Sequence, residues 1–461
     1  MGERIIPGTY VKVRPEGLIM TRPTTINTIG IIGTSSKGPI GEPVLLTQYK
    51  ELIDNFGDEK ENLTLLTNSA LMYSNGASLV YGIRIASTDA SEGEVLLGNN
   101  AATPVDALKL IAKEKGSWSK DISIRVTNDT TITTIKILYK GGVEEFSGET
   151  VEDIANAINN ETIGSSLVNA EVELGHEADI LGDANYTLSE GNDGGNVDDQ
   201  DYIDALELFE SENVHIVLCA GQDSAAIHAK IQEHVTNMAE LKKERIGIVG
   251  GALAENVNAI KSRINAIRDG RMVFVSNGVK VVSRVDGSIK LLSPACSASI
   301  IAGLMASNRP QDALTHMQIN GVYDVERKWT VPQLRDLIKS GSTVINEENG
   351  VIRIEKGVTT ALNTDPFYNL AIRRITDFAV YSSRNAGNPY IGKLNNSTTR
   401  ASLKSSMDVI LGNMVREGAL ISFDTNVYAT REDEIKGRCY VDLRILPTYS
   451  IDYIEVTIFL E

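Results

Sequence analysis

Between residues 214 and 276 three short apolar runs, Val214–Cys219, Arg245–Gly250 and Met272–Ser276, are separated by two segments, each long enough for a helix. A strand apolar at consecutive positions offers no polar face to water, so it must be covered on both sides. Helices between such strands provide the cover, and strand–helix–strand crossovers make the strands parallel. The pattern predicts a mainly parallel α/β sheet with Ser224–Lys243 and Ala254–Asp269 as crossover helices. A further helix, Ala295–Ala306 (ACSASIIAGLMA), is built of small residues suited to close packing against that sheet.

The same texture begins earlier. Thr28–Gly33 (TIGIIG) reads as a buried strand, followed by a Gly/Pro-rich turn over 37–43, a short strand Val44–Leu46, helices Gln48–Phe56 and Leu63–Asn75, and a strand Ser78–Ile85. From about Ser87 to Glu190 it gives way to Thr-rich alternating strands, Ile122–Thr127, Thr131–Tyr139 and Ala170–Leu174, with one helix, Val151–Asn159. This stretch reads as a small β-rich domain inserted into the α/β one. Gly191–Asn196 reads as a linker, with Asp198 or Asp199 capping a helix that begins near Gln200.

From about Gly350 a strand pair leads into helices Tyr368–Ser383 and Thr398–Glu417 and two alternating strands. In the first strand Cys439, Val441, Leu443 and Ile445 share a face; in the second Ile454, Val456, Ile458 and Leu460 do. At the other terminus Pro7-Gly8 and Pro15 bracket a short alternating strand, with Thr9, Val11 and Val13 on one face and Tyr10, Lys12 and Arg14 on the other. Such a lone strand must pair with something or stay disordered, and both terminal strands could complete the chain's own sheets. The expected organisation is an arm over 1–25, the first part of the α/β domain over 26–88, the β-rich insertion over 89–190, the main α/β domain over 191–348 and an α+β domain over 349–461.

Function classes narrow by exclusion. A net charge of −17 argues against broad binding to nucleic acid or an anionic membrane surface, since both would be repelled. No run of about 18 apolar residues predicts a membrane span, and the first residues lack the apolar core of a signal peptide. Cys219, Cys296 and Cys439 are odd in number and far apart, which reads as buried reduced thiols in a chain folding in the cytoplasm. His228 and His234 lie six residues apart on one helix, on different faces, and neither HExxH nor CxxC occurs, so no metal site is expected. Gly30–Gly38 superficially resembles a phosphate loop, but Lys37 is followed by Gly-Pro rather than a hydroxyl at a helix start. No G-x-S-x-G elbow marks a hydrolase nucleophile. No catalytic, cofactor or metal site is therefore expected.

Several motifs in order give a positive indication. Pro7-Gly8-Thr9-Tyr10-Val11, then Gly30–Gly33 with Lys37-Gly38-Pro39 and Pro43, then Phe56-Gly57, Tyr81–Ile85 with Arg84, Leu188–Gly194, and finally Leu443–Pro447 with Tyr453-Ile454, together resemble the contractile tail sheath family of phage tails and phage-tail-like bacteriocins. Glu190 and Asn192 depart from the commonest linker form of that family. The resemblance spans essentially the whole chain and implies a structural protein with a subtilisin-like but non-catalytic α/β core. It implies self-association as a helical homo-oligomer of stacked hexameric rings around a tail tube protein, with baseplate and tail terminator proteins as further partners and no direct membrane insertion. The particle would be a virion tail or an extracellular phage-tail-like particle assembled in the bacterial cytoplasm. Contraction from a metastable extended state would drive the tube through a target cell envelope. The terminal strands, Thr9–Val13 and Ile454–Leu460, would pair with neighbouring subunits. Tube contact would fall to one of two basic helices, one with Arg373, Arg374 and Arg384, the other with Arg400, Lys404 and Arg416. The competing classes are an α/β enzyme and a capsid-type polymer that closes into shells.

Overall fold

The computed structural model describes residues 26–129 and 132–459, so the arm over 1–25, including Thr9–Val13, and Leu460 lie outside the described residues. The chain divides into two compact units, one of residues 26–309 with 313–370, the other of Pro310–Asp312 with the chain from Ala371 onward.

The first unit is organised by a seven-stranded sheet whose order runs Ser342–Thr343, Met272–Val275, Ile246–Gly250, Ile216–Cys219, Ile29–Gly33, Val80–Arg84, Pro43–Leu46. All neighbours are parallel except the edge strand Pro43–Leu46, which runs antiparallel to Val80–Arg84. Ile29 pairs with both Ile216 and Val80, so the strands before and after the insertion form one sheet. Both faces are covered, as the continuous apolar runs require. Ile31, Leu218, Ile248 and Val273 pack on one face in a core shared with Leu65, Met72, Ile300 and Ile301. Ile32, Val217, Val249 and Phe274 pack on the other with Tyr202, Ile227, Ile231 and Ile264.

The small-residue helix spans Pro294–Ser307, capped by Ser293, and crosses helix Leu65–Ser74 closely. Ser299 donates to Asn68 Oδ1 at 2.9 Å, and a Cβ on Gly303 would lie 2.5 Å from the Met72 carbonyl. Only glycine permits that approach.

The inserted stretch has its own core, including Leu108, Leu110, Ile124, Ile135, Ile137 and Ile154, between two antiparallel sheets and helix Val151–Ile158. Thr150 caps that helix reciprocally with Asp153. The Lys140-Gly141 and Asn349-Gly350 turns both place two consecutive residues at positive φ, the geometry tight hairpins need.

Several expectations need correction. The segment 191–196 is not a slack linker: Asn192 pairs with Ser91, and Asp193 Oδ1 accepts from Ser117 N at 2.7 Å. Cys439 is exposed, whereas Cys219 is buried and Cys296 half-buried; all three are free thiols. The strand pair placed after Gly350 is a hairpin centred on it, Ile345–Glu348 with Val351–Ile354. No helix among the described residues is long and apolar enough to cross a membrane.

Candidate functional site

Within the C-terminal unit, helix Leu370–Gly387 is followed by helix Ser397–Arg416, which Asn396 starts by accepting from Thr399 N at 2.8 Å. The second helix buries Leu403, Met407, Leu411 and Met414, a row at helical spacing. Leu403 and Met407 share a small core with Ala386, against which Val427, Val441 and Leu443 of a two-stranded sheet pack. That sheet pairs Leu420–Tyr428 with Tyr440–Pro447, antiparallel, with an irregularity between Leu420 and Ser422. Tyr428 and Tyr440 stack at the end where the connection leaves the sheet, ring centroids 5.6 Å apart.

The strand connection is held firmly. Thr430 and Asp433 cap the short helix Arg431–Ile435, and Glu434 accepts from Arg431 and from Arg400, each at 2.9 Å. Those two guanidiniums, Arg431 first, hold the Glu434 carboxyl below its usual range.

Two features of this unit are incomplete as they stand. No further strand pairs with either outer edge of the sheet among the described residues, so rows of backbone donors and acceptors are left for another strand. After Thr448 N, which donates to Ala419 O at 3.0 Å, residues 451–459 carry no regular secondary structure. There Ile454, Val456 and Ile458 are 80%, 76% and 79% exposed, and the second alternating strand of the sequence has no strand partner among the described residues.

Beside strand Tyr440–Pro447 lies a groove of about 740 Å³. Val380, Tyr390, Leu403, Met407, Val441 and Leu443 give it an apolar lining, and Arg384, Lys393, Arg400 and Arg438 add four cations.

The candidate tube-contact residues separate into three groups. Arg373 and Arg374 are only 7% and 2% exposed, Arg373 pairing with Asp377 and Arg374 facing Asp312, so their charge is spent inside the unit. Burial pushes the Arg374 guanidinium down to about 10, with Asp312 opposing it. Neither of these two candidate residues places its guanidinium on the surface of the unit. Arg384, over the Tyr381 ring at 5.5 Å, and Arg400 both line the groove. Lys404 and Arg416 are exposed, although Lys404 Nζ also reaches Thr425 O at 2.6 Å. Lys393 and Arg438, absent from the sequence-based set, join Arg384 and Arg400 only because the fold brings two connecting segments beside the helices.

Residues 195–360 match the phage tail sheath protein central domain, and residues 363–461 match the phage tail sheath C-terminal domain. The chain belongs to the phage tail sheath family. The tail sheath protein of Bacillus phage SP01 is 27% identical over 263 residues, 56% of this chain, which spans only 44% of that relative's length. Among solved structures, a sheath tail protein from Desulfitobacterium hafniense superposes with a TM-score of 0.69 at 16% identity, covering 96% of this chain and all of that one. The anti-feeding prophage helical sheath, solved in its contracted state, gives 0.60 at 12% identity with 99% of each chain covered. Sheath proteins thus share this mixed α/β, multidomain fold end to end.

Proposed function

We propose that this chain is the structural subunit of a contractile tail sheath, a mechanical part rather than an enzyme. Copies stack as hexameric rings around an inner tube and contract from a metastable extended state, driving the tube through a cell envelope. A non-catalytic, subtilisin-like sheet forms its body, with the β-rich insertion and the arms attached. Baseplate and terminator proteins bound the polymer at its ends.

The observation that carries this reading is the open-edged sheet Leu420–Tyr428/Tyr440–Pro447, present in the same unit as an exposed, alternating apolar tail. Strand addition answers both deficiencies at once, because a neighbour's strand satisfies the edge and buries its alternate side chains. Charge favours the tail for the groove: residues 451–461 carry Asp452, Glu455 and Glu461 and no Lys or Arg, whereas the first 25 residues hold four cations against two acids. The N-terminal segment Thr9–Val13 then takes the opposite edge, and Lys404 and Arg416 are left as the cations for the tube.

Two truncations test the arms. Deleting residues 1–16, or everything after Tyr449, gives a folded, monomeric protein by light scattering and circular dichroism. Efficient polymerisation of either truncation sinks the arm-exchange claim.

A further inference from the structure

Three segments that carry the family resemblance in the sequence, Lys37-Gly38, Arg84 and Asp193-Gly194, meet where the inserted β-rich domain joins the sheet. Arg84 ends strand Val80–Arg84 and is fully buried. Its Nη1 donates to the carbonyls of Gly38 and Lys115, both at 2.8 Å, and its Nη2 to the carbonyl of Asp193 at 3.2 Å. Gly38 follows the first sheet strand, Lys115 belongs to the insertion and Asp193 to the chain returning from it. A planar fork of fixed donors can span three such carbonyls, whereas a lysine ammonium has neither the reach nor the geometry.

A second layer surrounds the guanidinium. Asp193 accepts from Ser117 N at 2.7 Å and from Ser117 Oγ, with Lys60 Nζ 3.7 Å away. Glu114 Oε2 accepts from Gly38 N at 2.9 Å. Lys37 Nζ lies 4.9 Å from the Trp118 ring centroid and 5.1 Å from that of Tyr139, both in the insertion. The backbones touch as well: a Cβ on Gly116, at φ +127°, would stand 2.1 Å from the Ser36 carbonyl. Outgoing and returning chains are tied by Ser87 N to Gly194 O at 2.9 Å and Ser91 N to Asn192 O at 3.1 Å.

We propose that Arg84 is a positioning residue that locks the inserted domain to the parallel sheet, so that the two move as one rigid body. The insertion has its own core, and without this lock it would be a separate domain on two adjacent connections. Residues 89–190 hold nineteen acidic against seven basic side chains, so copies brought side by side repel through this domain. A rigid joint passes that repulsion to the sheet instead of absorbing it at a hinge.

The joint is tested on the unassembled chain, independently of polymerisation. Spin labels at Glu152→Cys in the insertion and Ala229→Cys on a sheet helix, with Cys439→Ser, give a distance distribution by pulsed electron resonance. The parent gives one narrow distribution. Arg84→Met at least doubles its width while far-ultraviolet circular dichroism stays unchanged, and Arg84→Lys recovers only part of the narrowing. A width in Arg84→Met equal to the parent's overturns the proposal. If Arg84→Met does not fold, Ser117→Ala with Asp193→Ala decides by the same criterion: broadening supports the lock and the parent's width refutes it.

Discussion

Lowering the pH from 7.5 to 5 should strip stability from the first unit through three buried histidines. His234 Nε2 accepts from Arg245 Nη1 at 2.6 Å, so the ring has to be neutral, and Arg245 is itself fully buried and donates to Phe209 O at 2.6 Å and Glu212 O at 2.9 Å. Burial first, then the Arg245 charge, pushes His234 down to about 3 and His215 to about 4. His228 is pushed to about 4, chiefly by burial, with Arg263 adding to the shift and the Gln222 carbonyl and Asp223 opposing it. In the unfolded chain all three titrate near 6.5. The folded values are depressed, so the unfolded state binds more protons below that point. Stability is complete above about pH 6.5 and falls as the pH drops toward 4. At pH 5 each histidine costs about 2 kcal/mol, together about 6, a large share of an ordinary domain's stability. Both tryptophans, Trp118 and Trp329, belong to this unit, so urea unfolding followed by their fluorescence reports on it alone. His234→Gln, which keeps an acceptor for Arg245, should remove about a third of the loss by the same linkage. A urea midpoint unchanged between pH 7.5 and 5 would refute the reasoning.

Three substitutions probe packing and capping. Arg374→Glu buries a carboxylate facing Asp312 and should cost about 3–5 kcal/mol, seen as protease cleavage beyond residue 371, not as loss of tube binding by a folded chain. Gly303→Ala drives a methyl into the Met72 carbonyl and should lower stability by about 1–3 kcal/mol in thermal unfolding; a neutral result means the two helices can separate freely. Thr150→Ala removes the cap of helix Val151–Ile158 and should cost about 1 kcal/mol, read by urea titration.

What could be read in the sequence follows from how each element meets water. The parallel strands were legible because consecutive apolar residues, as in Ile246–Gly250, leave one structural solution. Strands Val279–Val282 and Ile289–Leu292 escaped because Lys280 and Lys290 break their apolar runs while Val282, Ile289 and Leu291 are exposed. Strand Leu420–Tyr428 escaped because the irregularity at Ile421 interrupts its alternation. Helix Val331–Ser340 buries only Leu337 and Ser340, too little apolar periodicity to recognise. In the C-terminal sheet the alternation of Val441, Leu443 and Ile445 was readable. The burial of Arg373 was not, although Asp377 four residues on is the spacing of an ion pair along a helix. Arg84 stood out as part of a motif, yet its carbonyl partners come from three distant segments and leave no local signature.

Electron microscopy of the purified full-length chain tests the central claim most directly. A sheath subunit forms long helical tubes with six-fold end views and an open lumen wide enough for an inner tube. Monodisperse particles or closed shells under the same conditions would contradict it.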